Sequence, residues 1–198
     1  MAWNVFISFR FADGIQYKEY FSKLLLRNYS TVDFSEDEDR SQMSDETIRQ
    51  YLYGKLRHSS ITIVLLTPQA VNHRKNWYGM YDDWIYDEIR YSLEDREQNR
   101  TNGMIAVYTP EAAHMLVYPR PGTGTETIID VDNLFRKNMM NVKPLYKVDP
   151  RPDIFDPDYD SYCSLIPWNL FISNIDNYVD IAVAKRNIIE RYNIVKRL

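Results

Sequence analysis

The run Ile61-Thr62-Ile63-Val64-Leu65-Leu66 is almost wholly apolar and has the length of one β-strand. A short apolar run of this kind is typical of a strand that is buried on both faces, as in a parallel sheet. After the mostly polar and aromatic residues 67–83 comes Trp84-Ile85-Tyr86-Asp87-Glu88-Ile89, which lies in a helical pattern. Because open α/β sheets bind ligands beyond the carboxyl ends of their strands, this order makes Glu88 a candidate catalytic carboxylate.

Strands and helices alternate on both sides of this run. The spacing of the apolar residues predicts strands at Val5–Phe9, Tyr29–Phe34 and Gly103–Tyr108, and helices at Ile15–Leu26, from an N-cap at Ser44 to about Arg57, and at about Tyr81–Arg96. Strands that alternate with helices at these spacings imply right-handed βαβ crossovers and a parallel sheet. The first half of the chain therefore predicts an α/β fold.

The second half of the chain is less regular. Residues 109–160 contain most of the prolines and predict a long irregular insertion, with one short strand near Val142–Tyr146. Tyr162–Ile166 is predicted to be the fifth strand, and a terminal helix is predicted from about Asn169 to Lys196. We therefore expect one domain over residues 1–198, with a regular core at 1–108, an insertion at 109–160, and the last strand and C-terminal helix at 161–198.

The composition excludes several classes of protein. The 198 residues suit a single domain, and a formal charge of -4 argues against a nucleic-acid binder that relies on bulk electrostatics. The N-terminus does not have the pattern of a signal peptide, and no stretch approaches the length of a membrane span. Cys163 is the only cysteine, which excludes an internal disulfide and a multi-cysteine metal site. We expect no metal and a reducing, cytoplasmic setting.

Three segments resemble the motifs of a TIR-like domain. Val5-Phe6-Ile7-Ser8-Phe9 resembles the first strand of that family, and Val32-Asp33-Phe34 resembles the strand that leads into its BB loop. Trp84-x-x-x-Glu88-Ile89 resembles the Trp-Cys-x-x-Glu-Leu pattern of its third helix, with Ile85 in place of the cysteine. The length, the segment Phe9-Arg10-Phe11-Ala12-Asp13 and the irregular second half more closely resemble the TIR-like signalling proteins of bacterial Thoeris anti-phage systems.

The resemblance implies a flavodoxin-like three-layer fold with a central, mostly parallel, five-stranded sheet. It also implies an enzyme that takes NAD+ as its substrate, needs no cofactor and releases nicotinamide. In this family the glutamate that corresponds to Glu88 contacts the nicotinamide ribose while the glycosidic bond breaks. The expected product is a cyclic ADP-ribose isomer that acts as a messenger for a partner effector of the ThsA type, after a phage-derived trigger.

The candidate residues at the ends of the first two strands each have two interpretations. Ser8, Phe9 and Arg10 stand where the first strand ends, at the edge where ligands bind in this architecture. Phe9 either lines the site or belongs to the core, and Arg10 pairs either with a substrate phosphate or with nearby acids. Asp33 and Phe34, at the end of the second strand, either contact the adenosine part of NAD+ or only close the strand.

The helix residues are also open to two readings. Trp84 either packs in the core and positions the helix or lines the pocket. Glu88 is either catalytic or part of a solvated acidic face with Asp82, Asp83 and Asp87. If Glu88 is only a solvated acid, the rival hypothesis for the whole protein applies: a non-catalytic TIR-type interaction module that signals by self-association into a homo-oligomer.

Overall fold

The computed structural model describes residues 3–28, 45–71, 84–95, 100–122, 125–128 and 133–198. Its strands are β1 (Val5–Ser8), β2 (Ile61–Leu66), β3 (Gly103–Tyr108), β4 (Val117–Arg120), β5 (Thr125–Ile128) and β6 (Cys163–Pro167). Its helices are α1 (Phe11–Asn28), α2 (Asp45–Leu56), α3 (Pro68–Val71), α4 (Trp84–Leu93), α5 (Ala113–Leu116), α6 (Asn133–Lys137), α7 (Trp168–Ser173) and α8 (Ile175–Asn187). Within the described ranges, the predicted alternation of strands and helices is confirmed.

A parallel sheet forms the centre of the molecule. Its described strands are ordered β1-β2-β3-β6. The register pairs Val5 with Ile61, Ile61 with Gly103, and Met104 with Cys163. These are four of the five strands that the sequence predicts, and the remaining one, at residues 29–34, lies outside the described residues. The α/β fold with a parallel sheet is confirmed.

Helices cover both faces of this sheet because successive side chains of a buried strand point to opposite faces. On one face, α4 and α6 pack against a cluster that includes Val64, Leu66 and Ala106, and α2 packs against Phe6 of β1. On the other face, α1, α7 and α8 pack against a cluster that includes Ile63 and Val107. The result is the expected three-layer arrangement, with the core divided between the two faces of the sheet.

The second half of the chain is more ordered than the sequence predicts. β4 and β5 form an antiparallel hairpin, and α5 and α6 are further short elements within residues 109–160. The predicted strand at Val142–Tyr146 is wrong: Val142 makes only an isolated bridge to Tyr192, and Pro144–Tyr146 is a 3-10 turn. Proline lacks the N–H that a strand needs for pairing, so Pro144 favours the turn.

The single terminal helix predicted from Asn169 to Lys196 is also wrong. The chain forms α7 and α8, which meet at Asn174, followed by a 3-10 turn at Ile189–Arg191. Ser173 donates its hydroxyl to the Leu170 carbonyl at 3.0 Å, and Asn174 donates to the Ser173 hydroxyl at 2.9 Å. Such local side-chain bonds compete with helix continuation and explain the break. Among the described residues, no helix combines the length and apolar character that crossing a membrane requires.

Candidate functional site

The candidate site begins where β1 ends at the carboxyl edge of the sheet. Ser8 is the last residue of β1 and is fully buried, and α1 begins only three residues later. Ser8 shares a face of the sheet with Phe6, which packs against Leu52 and Leu56 of α2. Its hydroxyl therefore points into the layer between the sheet and the helices α2 and α4.

Glu88 lies on the buried face of α4. The buried residues of this helix recur at helical spacing along one stripe: Ile85, Glu88, Ile89, Ser92 and Leu93. This is the i, i+3, i+4, i+7, i+8 pattern by which a helix packs on a core. Glu88 is only 6% exposed and stands in that stripe among apolar side chains. Glu88 therefore does not belong to a solvated acidic face.

Ser8 and Glu88 are brought together across 80 residues of sequence. The Ser8 hydroxyl donates a hydrogen bond to Oε2 of Glu88, and this bond is buried. A carboxylate in the interior is costly unless it is hydrogen-bonded or paired, so the Ser8 donor offsets part of that cost. The bond also fixes which way the carboxylate points, toward the end of β1.

A second polar contact, one helical turn further on, fixes the rotation of α4 about its axis. The Thr62 and Ser92 hydroxyls lie 2.8 Å apart and are hydrogen-bonded, and Thr62 also accepts from Asn102 Nδ2 at 3.0 Å. Both of these α4 contacts, at Glu88 and at Ser92, are made by residues of the buried stripe. α4 is thus attached to β1 and β2 at two points, which holds Glu88 at the carboxyl edge.

The opposite side of α4 contacts α2 and solvent. Arg90 donates to the Tyr53 hydroxyl at 2.8 Å and pairs with Asp87 at 3.2 Å. Tyr53 also stacks on Tyr91, with ring centroids 3.6 Å apart. Asp87 therefore belongs to a partly exposed ion-pair group, whereas its neighbour Glu88 is buried. The two adjacent acids therefore have different surroundings.

The other sequence candidates differ in where the structure places them. Phe9 packs against the apolar cluster on the face opposite Glu88, close to Gly14 of α1. Arg10 is half-buried directly after β1, and its carbonyl accepts from the Gly14 N–H at 2.8 Å. Asp33, Phe34 and the side chain of Trp84 lie outside what the structure describes. Of the predicted set, Ser8 is the residue whose contact with Glu88 is described.

Polar residues that the sequence analysis did not single out bridge the ends of the strands on the α1 side. Asp13 of α1 accepts from the Thr67 hydroxyl at 2.6 Å, just after β2. Tyr17 of α1 donates to Glu111 at 2.7 Å, just after β3. Burial and the Glu111 carboxylate together raise the pKa of Tyr17 to about 12. Their positions in the first two turns of the helix that follows β1 could have identified Asp13 and Tyr17 as residues near the edge of the sheet.

The described residues do not gather metal-binding side chains. Within the described ranges, no group of three or more His, Cys, Asp or Glu residues is placed to hold a metal ion. The only cysteine, Cys163, is buried in β6 and free.

The part of the chain that contains this site matches a known protein family. The model of the family described as "Thoeris protein ThsB, TIR-like domain" matches residues 6–114, which is just over half of the chain. The matched range runs from β1 to α5 and includes Ser8, Arg10 and Glu88. The match ends before β4, β5, β6 and the helices that follow them.

Proposed function

The chain belongs to the family of Thoeris ThsB proteins with a TIR-like domain, and from this premise we propose that it processes NAD+ in the cytoplasm. In the proposed reaction the bond between nicotinamide and the adjoining ribose breaks, and nicotinamide leaves with the bonding electron pair. A hydroxyl of the same molecule then attacks the ribose and releases its proton, which gives a cyclic ADP-ribose isomer. Attack by water instead would give linear ADP-ribose.

The observation that carries this proposal is the buried Glu88 carboxylate at the carboxyl end of β1, held by the Ser8 hydroxyl. As the glycosidic bond breaks, positive charge develops on the ribose ring, and a nearby carboxylate stabilises that charge. The same carboxylate can accept hydrogen bonds from the ribose hydroxyls and hold the ring in place. The carboxyl edge of an open α/β sheet is where such a substrate binds.

Glu88 could instead be a structural acid that only accepts a bond from Ser8. Two isosteric substitutions on the same helix separate these roles: Glu88→Gln and, as the matched control, Asp87→Asn. Asp87 is adjacent to Glu88 but belongs to the partly exposed ion pair with Arg90. We expect Glu88→Gln to lower nicotinamide release by about a hundredfold or more, because an amide cannot stabilise a developing cation. Asp87→Asn should retain most of the activity.

The measurement is free nicotinamide from NAD+, by chromatography, with purified protein and with lysates of phage-infected cells that supply a trigger. Urea unfolding of both variants checks their folding. If wild-type protein releases no nicotinamide under either condition, or if Glu88→Gln releases it as fast as wild type, the proposed activity is refuted. A large loss of unfolding free energy in Glu88→Gln would assign the carboxylate to stability.

The proposed product is a messenger for a partner effector of the ThsA type. A protein-free filtrate of the reaction should then activate that effector when added alone, because a small molecule passes the filter and the protein does not. A TIR-type module that signals only by self-association would leave the filtrate inactive. Mass spectrometry and NMR of the filtrate identify the product linkage.

A further inference from the structure

A cavity lies at the ends of β3 and β6, and neither Ser8 nor Glu88 lines it. Its volume is about 420 Å³, within the range of small-molecule sites. Tyr108 at the end of β3 and Leu165 to Pro167 in β6 form its floor. Apart from Tyr108, every residue that lines it lies beyond residue 114, where the family match ends. The cavity therefore belongs to the part of the chain that the family does not explain.

The walls of the cavity are largely apolar and aromatic. The flat or flexible side chains that line it include Tyr108, Met139, Met140, Phe155, Leu165 and Tyr178. Aromatic faces attract both apolar groups and cations, and methionine side chains adapt to irregular shapes. The Phe155 ring already makes one contact of this kind, with Lys147 Nζ 4.0 Å from the ring centroid.

One charged side chain, Asp158, lines the cavity among these groups. It is half-buried, and burial together with the nearby Asp156 carboxylate raises its pKa. Among the residues that the structure describes, no hydrogen bond or ion pair engages the Asp158 carboxylate, although the neighbouring Asp156 accepts from two backbone N–H groups. A partly desolvated carboxylate that accepts no hydrogen bond is unfavourable, so a bound cation at this position would be stabilised.

The buried Lys185 ammonium attracts the Asp158 carboxylate electrostatically, but its hydrogen bonds go elsewhere. Lys185 lies behind the cavity wall and donates to the Ser161 carbonyl and the Ser164 hydroxyl, each at 2.7 Å. It is fully buried, and desolvation lowers the pKa of Lys185 to about 8. Its bonds are thus committed to the backbone and side chain of the 161–164 segment, and Asp158 is left facing the cavity.

The backbone at the mouth of the cavity is strained. Met140 has φ of 46°, a left-handed conformation that is unfavourable for a residue with a side chain. The Ser161 hydroxyl accepts from the Met140 N–H at 2.9 Å and holds this conformation. As a result the Met140 side chain, 52% exposed, stands at the cavity rather than in the core. Strain of this kind is concentrated at ligand sites.

We propose that this cavity binds a small organic cation, in which a protonated amine pairs with Asp158 and an apolar or aromatic body lies between Tyr178, Phe155 and the two methionines. An anion is disfavoured because the Asp158 carboxylate lines the cavity and the Asp156 carboxylate lies close to it. A purely apolar ligand would leave the Asp158 carboxylate desolvated and without a partner. The proposal rests on residues apart from Glu88 and does not depend on NAD+ processing.

The test uses the full chain labelled with ¹³C at its methionine methyl groups. Three probes share one body and differ in charge: phenethylamine, 2-phenylethanol and 3-phenylpropanoate. We expect phenethylamine to shift the methyl resonances of Met139 and Met140 in a saturable way. The alcohol should bind about tenfold more weakly, and the carboxylate should bind more weakly still.

The matched variants are Asp158→Asn and Asp153→Asn, where Asp153 is an exposed acid of the same segment that does not line the cavity. Asp158→Asn should reduce the affinity for the amine to that for the alcohol, while retained binding of the alcohol shows that the cavity remains folded. Asp153→Asn should leave both affinities unchanged. The proposal is overturned if the amine shifts neither methionine, if amine and alcohol bind equally to wild type, or if Asp158→Asn binds the amine as tightly as wild type does.

Discussion

A carboxylate on the buried stripe of a helix lowers stability unless hydrogen bonds or an ion pair offset the loss of its hydration. Glu88 occupies such a position between Ile85 and Ile89, with the Ser8 hydroxyl as a donor from a distant strand. An apolar residue there would pack on the sheet without this cost. The presence of an acid at this buried position therefore favours a chemical role for Glu88.

Ser8→Ala tests whether Ser8 positions Glu88 for catalysis. The substitution removes the Ser8 donor to the carboxylate, so we expect kcat for nicotinamide release to fall roughly 10- to 100-fold, which corresponds to the loss of a hydrogen bond to a charged group. KM should change less, because the substrate keeps its other contacts. Steady-state kinetics of wild type and variant give the comparison.

The matched control is Ser92→Ala, one turn along the same buried stripe of α4. Ser92 bonds to Thr62 and not to Glu88, so its loss should lower the unfolding free energy by about 1 kcal/mol while kcat stays near the wild-type value. If both variants lose kcat in proportion to their loss of stability, Ser8 is a structural residue and does not position the carboxylate.

The sequence predicts the positions of individual residues best where the periods of strand and helix are clear. Ser8 and Glu88 could be placed at one edge because each follows from the position of a regular element. Phe9 was open to two readings, and the structure places it on the opposite face, as the alternation along β1 requires. The spacing of Ile85, Ile89 and Leu93 also indicates the buried stripe of α4. The neighbouring acids nevertheless left open whether Glu88 is buried or solvated.

At the scale of elements, β3 and α8 approach each other closely at one glycine. A Cβ built on Gly103 would lie 2.7 Å from the Ala182 carbonyl oxygen and 3.0 Å from its carbonyl carbon. Both atoms belong to the backbone of α8 and cannot turn away as a flexible side chain would. We expect Gly103→Ala to lower the unfolding free energy by about 2–3 kcal/mol, through displacement of α8 from the sheet. Urea unfolding measures the change.

Gly54 of α2 provides the control for that substitution. A Cβ there meets nothing within 4 Å, and the residue is exposed in a helix interior. Alanine favours a helix over glycine, so Gly54→Ala should raise the unfolding free energy by about 0.5–1 kcal/mol. Equal effects of the two substitutions would show that the contact between β3 and α8 is not tight.

The second half of the chain shows why its elements could not be predicted from the sequence. α5, β4, β5 and α6 are only four or five residues long, too short for a period of 3.6 or 2 to appear. Distant contacts hold this region: Asn141 accepts from the Tyr162 N–H at 2.9 Å and donates to the Asn193 carbonyl at 3.0 Å. Local sequence carries no signal for bonds that span 21 and 52 residues.

At the scale of the whole molecule, the C-terminal segment returns to the helix that carries Glu88. Asn138 bonds both the N–H and the carbonyl of Val195, at 2.9 and 2.7 Å. Lys196 pairs with Asp95, and Arg197 donates to Glu94 at 2.7 Å, both just beyond the end of α4. The region outside the family match thus supports the end of α4, although the sequence predicted a continuous helix there.

The buried ammonium of Lys185 makes the stability of the whole molecule depend on pH. Desolvation lowers the pKa of Lys185 to about 8, against 10.5 for the free side chain. Between these two values the unfolded chain binds more protons than the folded one, so stability rises with pH. The cost of burying the charge is fully present below about pH 8 and disappears above about pH 10.5. From pH 7.5 to 9.5 we expect a gain of about 2 kcal/mol from this group.

The gain should stop near pH 10 because tyrosines act in the opposite direction. Burial raises the pKa of Tyr192, and burial with Glu111 raises that of Tyr17, each to about 12. Their contribution is present below pH 10 and is lost as the pH rises toward 12. Urea unfolding at closely spaced pH values should therefore show a maximum of the unfolding free energy near pH 10, where the gain from Lys185 ends and the loss from the tyrosines begins.

Lys185→Met separates the contribution of this lysine to the pH dependence of stability from that of the other titratable groups. The comparison does not depend on the absolute stability of the variant. Methionine does not titrate, so the rise between pH 7.5 and 9.5 should be smaller in Lys185→Met than in wild type by about 2 kcal/mol. Lys23→Met, at an exposed lysine of α1, should keep the wild-type rise. If Lys185→Met and wild type show parallel curves over this range, the Lys185 ammonium is solvated in the native state, and the packing of α8 against the 161–164 segment is looser than the two bonds from Lys185 imply.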